Sequence, residues 1–408
     1  MRARTAVPLG ADFWKLWTST AVTNLGDGIT MVAGPLLVAS LSTNPAAVAG
    51  AVFAQQLPWL LFALLSGAWS DRVDRRRLVV AVDLVRAAAL AVLAAAALTG
   101  TTSIPLIYVV FFVLGTGETL ADTAAAAFVP TLVPPSGRPR ANAWMYAAFT
   151  VLNQFTAKPV GAWLFVAGAA LPFGVNAMTF ALAAVLLTTI RSVGTPGPRP
   201  PSRLSTDVAD GIRWLVRHRL LRTLAVTMAA GNLVFCAAFA VFVLYAQQRL
   251  GVTGVGYGVL LLAFAVGGLA GTLVAPTLAR RFRPSVLLRA GLLVEVALHA
   301  TLAWTTTAPV AAAMIVVFGV HTTVWGIVVT TIRQRDVPPD RYGRVAGVYA
   351  FLDLGGAALG SLLGGLVATV FGLVATYGAA AVAMTVVTVL AWRPIRATAA
   401  GSLSGPPD

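Results

Sequence analysis

The chain has 408 residues, 58% hydrophobic and 11% charged, with a mean hydropathy of +0.84, whereas about a quarter of an ordinary soluble domain is charged. Its 14 acidic and 29 basic residues cannot cover so large an apolar surface, so most of that surface faces lipid and a cytosolic globular enzyme is excluded. The net charge of +15 does not imply a nucleic-acid partner, because the basic residues sit between apolar runs rather than on one exposed face.

A membrane-spanning helix needs about 20 mostly apolar residues. Windows of that length predict spans near 14–40, 46–68, 78–98, 104–127, 142–166 and 169–190. After a gap they resume near 221–247, 255–279, 286–305, 309–331, 345–369 and 371–392. The chain is thus expected to be an all-α membrane protein of twelve transmembrane helices. The first run carries Asp27 and runs past signal-peptide length, so it reads as a retained helix rather than a leader. The expected organisation is a six-helix bundle over 1–190, a cytoplasmic linker over 191–220, a second six-helix bundle over 221–396 and a cytoplasmic tail over 397–408. Within the linker, a Pro/Gly-rich stretch from Gly194 to Pro201 precedes an amphipathic segment from Ser205 to Arg219. That segment is expected to lie on the membrane surface with Trp214 at the interface and its arginines reaching head groups. Cys236 is a lone cysteine, which excludes an intrachain disulfide and reads as a small buried apolar residue.

Arginines fix the orientation. Arg2 and Arg4 precede span one, Arg72, Arg75, Arg76 and Arg77 follow span two, and Arg138 and Arg140 follow span four. The second half repeats the pattern with Arg280, Arg281 and Arg283 after span eight, four arginines from Arg333 to Arg344 after span ten, and Arg393 and Arg396 after span twelve. The opposite loops carry only Arg249. Both termini are therefore expected in the cytoplasm. Val133-Pro134-Pro135 with Arg140 recurs as Val337-Pro338-Pro339 with Arg344, half a chain later and at the same spacing. The two halves read as a parallel duplication of the kind found in secondary transporters.

The loop after span two runs Gly67-Ala68-Trp69-Ser70-Asp71-Arg72-Val73-Asp74-Arg75-Arg76-Arg77-Leu78. It resembles the signature loop G-x-L-x-D-R-x-G-R-R-x-x-L of the major facilitator superfamily, and the resemblance extends over essentially the whole chain. Trp69 and Asp74 depart from the pattern. Asp74, together with the Asp83-x-x-Arg86-Ala87 stretch in span three, is similar to the drug and proton antiporter branch that includes macrolide and siderophore exporters. The resemblance implies two pseudo-symmetric bundles rocking about a midplane site. It also implies that the loop latches the cytoplasmic side, with Gly67, Asp71, Arg72, Asp74, Arg75, Asp83 and Arg86 as gate candidates. Asp83 and Arg86, at i,i+3, are expected to pair on one helix face. Arg76 and Arg77 equally serve topology alone. The matching stretch in the second half, Leu278 to Phe282, has no acid, so any latch is asymmetric.

Ionisable groups at membrane depth are costly and mark functional positions unless paired. Asp27, with Asn24 one turn earlier, is the first candidate proton carrier, a helix-to-helix hydrogen bond being the blander reading. Glu118 and Asp122 share one face of span four and are the second candidates. The family's antiporter motif carries an arginine ahead of a glycine pair in span four, and Val113 to Glu118 has none. Lys158, beside Pro159 and Gly161, is expected to pair with Asp27, Glu118 or Asp122, or to reach an interface. Glu295 and His299 on span nine read as a structural pair, and Asp353 on span eleven is a weaker candidate. Because the resemblance makes spans one, four, seven and ten line the cavity, Asn24, Phe235, Phe239, Tyr245, His321 and Trp325 are substrate-cavity candidates. Gly356, Gly360 and Gly364, and Gly267 with Gly271, form small-residue ridges for close helix packing.

No nucleotide-binding loop, H-E-x-x-H pair or G-x-S-x-G elbow is present in the sequence. The expected function is therefore not enzymatic. It is secondary transport: proton-coupled efflux of a small hydrophobic or amphipathic compound, such as a drug or secondary metabolite. Alternatives are proton-coupled uptake or facilitated diffusion of a nutrient, or a membrane enzyme or sensor. No cofactor or metal is expected, the proton gradient being the energy source. The expected partners are a small-molecule substrate, protons and membrane lipid, with no nucleic acid, and the chain is expected to act as a monomer. With Lys15 and Lys158 as the only lysines, the composition resembles that of a high-GC bacterium, which suggests a bacterial plasma membrane.

Overall fold

A computed structural model describes residues 9–70, 74–125, 128–191, 204–338 and 341–401. All regular structure among them is helical, as lipid requires of a chain whose backbone polar groups must be satisfied internally. The helices are α1 (Ala11–Leu41), α2 (Pro45–Ser70), α3 (Arg75–Thr99), α4 (Ile104–Ala125), α5 (Phe128–Leu132), α6 (Arg138–Ala148), α7 (Ala157–Ala167) and α8 (Leu171–Thr188). They continue as α9 (Leu204–Arg217), α10 (Arg219–Ala240), α11 (Phe242–Gln248), α12 (Gly254–Arg281), α13 (Pro284–Trp304), α14 (Ala308–Asp336), α15 (Tyr342–Phe371) and α16 (Leu373–Gly401).

Backbone contacts divide the chain into two units. The first comprises Met1–Thr43, Ala54–Arg199 and Gly254–Leu262; the second comprises Asn44–Phe53, Pro200–Thr253 and Ala263–Asp408. Eleven helices among the described residues are long and apolar enough to cross a membrane. The remaining predicted span, 142–166, is also continuous helix, but its middle is a π-helical segment, Phe149–Thr156, between α6 and α7. Pro159 supplies a local cause: it has no N–H to give to the carbonyl four residues back, so the ladder just before it is re-spaced. Thr156 Oγ1 instead donates to the Val151 carbonyl at 2.9 Å.

Short-range chemistry sets the helix ends. Asp74, where the family pattern has glycine, is the N-cap of α3 and accepts from the backbone N–H of Arg76 at 2.9 Å and of Arg77 at 3.2 Å. A capping carboxylate also suits the positive end of the helix dipole. Gly100 closes α3 in the left-handed conformation, at φ 70°, which glycine adopts without a Cβ penalty. Arg76 donates to the carbonyl of Ile190 at 2.6 Å and thereby ties the start of α3 to the end of α8.

In the first unit, α1 packs against α7 and α8 through small residues. A Cβ on Gly28 would meet Ala157 at 2.5 Å and the Asn153 carbonyl at 2.6 Å, and one on Gly161 would meet the Ile29 carbonyl at 2.7 Å. In the second unit, Gly356, Gly360 and Gly364 of α15 face the carbonyls of Ala229, Leu233 and Ala237 of α10, one helical turn apart on both helices. Gly267 and Gly271 of α12 do the same against α14. Both ridges are thus packing surfaces. Gly360→Leu is expected to cost about 1–3 kcal/mol or more, because its side chain would meet backbone that cannot yield. An unchanged thermal unfolding midpoint in detergent would contradict this packing.

The linker segment forms α9, and Trp214, expected at the membrane interface, is turned into the protein, while Ile212 and Val216 of the same helix stay exposed. Trp214 is 8% exposed and Leu215 4%, both in one cluster with Leu221, Val345 and Tyr349. Gly211 explains the close approach: a Cβ there would be 2.9 Å from the Arg344 carbonyl. Helix α9 is therefore part of the second unit's core.

Candidate functional site

The first unit contains a cavity of about 310 Å³ bounded by α1, α3, α4, α5, α6, α8 and the π-helical segment. Asp27, Asp83, Glu118 and Asp122 line it together with one cation, Arg86. Three of the predicted proton-carrier acids thus converge from two helices, and Asp83 joins them from a third.

Arg86 is the centre of the arrangement. Its Nη2 donates to Asp27 Oδ1 at 3.0 Å, with side chains 6% and 34% exposed respectively. The expected pairing of Arg86 with Asp83 along α3 is corrected: the ion pair crosses from α3 to α1, because the i,i+3 spacing fixes a shared face but not the nearest acid. The guanidinium also lies over the Phe180 ring, 3.9 Å from its centroid, a contact that is strongest where water is excluded. Its aliphatic stem passes Gly117 of α4, where a Cβ would stand 2.6 Å from Cδ and 2.8 Å from Cγ. Span four, which has no arginine of its own, leaves room at this glycine for one delivered from span three. Gly117→Val is expected to dislodge Arg86 and reduce transport at least about tenfold, whereas Gly174→Val, with nothing nearer than 4.0 Å, is expected to be neutral. Equal transport by the two variants would contradict the role of Gly117.

The other acids are held differently. Asp83 is buried, 3% exposed. Glu118 is half-buried and accepts a hydrogen bond from Trp59 of α2. Asp122 is an exposed residue that also lines the cavity. Asn24 lines the same cavity; its side chain donates to the Thr20 carbonyl at 2.8 Å, and its own carbonyl accepts from Asn153 Nδ2 at 3.1 Å. Asn153 belongs to the π-helical segment, so the irregular stretch of the fifth span braces the turn of α1 just before Asp27. Trp59 and Asn153 were not singled out from the sequence.

Lys158 is 3% exposed and donates to Gln154 Oε1 at 2.6 Å. Gln154, one turn earlier, thus supplies this lysine with a neutral acceptor, where the sequence pointed to Asp27, Glu118 or Asp122 or to an interface. Of the gate candidates, Asp71 and Arg72 lie outside the described residues, Gly67 lies within α2, and Arg75 opens α3 half-buried. Asp83 and Arg86, expected at the gate, line the acid cavity.

The second unit brings the remaining candidates together. Phe239, Phe235, Phe318, His321 and Trp325 form one aromatic file, with successive ring centroids 5.7, 5.4, 5.8 and 5.7 Å apart. Phe264 of α12 adds a sixth ring, 6.1 Å from Phe235. His321 is not alone: its Nε2 lies 3.4 Å from Glu295 Oε1. Glu295 therefore faces α14, while His299 binds only the Glu295 backbone carbonyl, at 2.8 Å. Gly291 leaves the space for the His321 ring, 2.5 Å from where a Cβ would be. Tyr245 stands apart, fully buried with its hydroxyl on the Leu302 carbonyl at 2.6 Å. Asp353 accepts through its backbone carbonyl from Asn232, at 2.8 Å.

Eleven candidate membrane-crossing helices among the described residues and a match to a family of membrane transporters over nearly the whole chain make this a multi-pass transporter with a small-molecule substrate. The chain belongs to the transmembrane secretion effector family of the major facilitator superfamily, whose family model matches residues 4–403. It is 27% identical over 380 residues to the multidrug efflux pump Tap of Mycolicibacterium fortuitum, covering 90% of this chain and 91% of that protein. It is also 27% identical to the multidrug efflux pump Tap of Mycobacterium tuberculosis strain H37Rv, over 88% of this chain and 87% of that one. Among solved structures, a bacterial homologue of the human lysosomal transporter Spinster superposes with a TM-score of 0.76 at 14% identity, over 94% of this chain and 96% of the other. A bacterial homologue of the iron transporter ferroportin gives 0.74 at 18% identity, over 93% and 98%. These two likenesses concern the fold alone.

Proposed function

We propose that the protein exports a small hydrophobic or amphipathic compound, such as a drug or secondary metabolite, in exchange for protons, by alternating access in a bacterial plasma membrane. The observation that carries this reading is the cavity in which four carboxylates share one guanidinium. One cation cannot balance four anions at membrane depth, so protons meet the remainder, and a change in their number changes the Asp27–Arg86 pair. Asp27 is the carrier, because it alone holds Arg86 and is 34% exposed to the cavity. Proton binding to Asp27 frees the guanidinium to turn to Asp83, Glu118 or Asp122, and deprotonation restores the pair. The aromatic file of the second unit offers flat apolar faces suited to an amphipathic compound. The efflux assignment draws support from the Tap pumps, which are named for multidrug efflux. No cofactor enters the cycle, protons and substrate are the only solutes handled, the chain acts as a monomer, and both termini face the cytoplasm, as the arginine distribution favours.

The test is reconstitution of the purified chain in proteoliposomes loaded with a fluorescent hydrophobic dye, followed by an imposed pH difference. Dye movement that follows the pH difference and stops when an ionophore dissipates it is the expected result. Movement indifferent to the ionophore would refute proton coupling.

A further inference from the structure

We infer that the groove between α9 and the start of α15 is a binding site for a phosphate-bearing anion. The cavity there measures about 260 Å³ and is lined by Arg213 and Arg217 of α9 and by Arg341 and Arg344 at the start of α15, with Asp210 as the one acid among its described lining residues. Asp210 holds Arg213 at 3.0 Å and Arg344 at 3.7 Å, and all four arginines are solvent-exposed residues lining the cavity. Trp214 forms the apolar wall; it is fixed by core packing on one side and by the His218 ring, 3.6 Å away, on the other.

Four forked donors around one small space match the oxygens of a phosphate, which guanidinium groups bind through paired, charge-assisted hydrogen bonds. The N-cap residue of the 30-residue α15, Arg341, makes no side-chain capping hydrogen bond, and the helix dipole adds to the attraction for an anion. The size fits a head group or a free phosphate rather than a transported drug, whose pockets run to about 300–1,000 Å³. The cavity lies at the polar end of α15, a helix long and apolar enough to cross a membrane, and phospholipid phosphates are the anions expected beside such an end. Topology accounts for arginines on this side of the membrane, but not for four of them converging on a walled cavity. An anion seated here ties the linker helix to α15.

The experiment uses the full chain in phosphatidylcholine nanodiscs. Its thermal unfolding is followed with rising inorganic phosphate at constant ionic strength, and separately with phosphatidylglycerol replacing part of the lipid. Arg217→Gln with Arg341→Gln removes two cavity guanidinium groups and spares the Asp210 ion pairs. Arg280→Gln with Arg281→Gln removes equal charge from the end of α12. Wild type is expected to be stabilised, the cavity variant to need about tenfold more anion for the same shift, and the α12 variant to match wild type. A response to phosphatidylglycerol alone identifies a lipid head group, one to phosphate alone a soluble anion, and one to both a site that accepts either. No stabilisation by either probe, an unchanged response in the cavity variant, or equal loss in the α12 variant would overturn the site.

Discussion

Asp27→Asn is expected to reduce proton-coupled export to the level of membranes lacking the protein, while exchange of compound across membranes without a gradient continues. The asparagine carbonyl can still accept from Arg86 Nη2, which Asp27 Oδ1 does at 3.0 Å, so the contact between α1 and α3 survives. What disappears is the group that takes up and gives back a proton. Glu118→Gln, which keeps the hydrogen bond from Trp59, is expected to have a smaller effect, and Asp122→Asn, at the exposed residue of the set, the smallest. Rates of dye export in the three variants check this order. A complete loss in Asp122→Asn with normal export by Asp27→Asn would move the carrier from α1 to α4.

Arg86→Ala is expected to have the largest effect on stability. It removes the cation of the cavity, empties the space against Gly117 and strips the contact with the Phe180 ring. Breaking a buried ion pair from one side costs about 3–5 kcal/mol, because the partner charge is left uncompensated. Asp27 keeps 34% exposure, which places the loss near 3 kcal/mol. Arg86→Ala combined with Asp27→Ala is expected to cost less than the sum of the single changes, with a coupling of about 1–3 kcal/mol. Unfolding of the four proteins in the same detergent measures this cycle. Simple additivity would show that the pair, though close, carries no energy of its own.

The legible parts of this molecule were those with a periodic or compositional signature. Apolar run length located the spans because lipid imposes a minimum of about 20 residues on each, and glycines four apart marked ridges that do pack on neighbouring backbone. The π-helical segment was not legible, since its residues are as apolar as the rest of the span and only the downstream Pro159 hints at it. Arg86 shows a second limit: spacing related it to Asp83 on the same helix, whereas its partner is 59 residues away and is selected by how α1 and α3 pack. For Lys158 the sequence pointed to acids on other helices or to an interface, whereas the structure shows a neutral acceptor four residues earlier on the same span. His321 was legible only as a cavity candidate by its span; that α13 brings Glu295 beside it depends on helix packing that the pattern does not state. Asp74 was visible as a departure from the family loop, yet its capping of α3 depends on backbone geometry that a residue pattern does not state.

The most direct test of the central claim uses inside-out membrane vesicles with an imposed proton gradient, comparing wild type with Asp27→Asn as a panel of hydrophobic antibiotics and dyes is added. Collapse of the gradient on addition of a compound in wild type, absent in Asp27→Asn, is the result predicted for a drug and proton antiporter whose proton is carried at Asp27. Equal collapse in both would contradict Asp27 as the carrier, and no collapse in either would contradict proton-coupled export of these compounds.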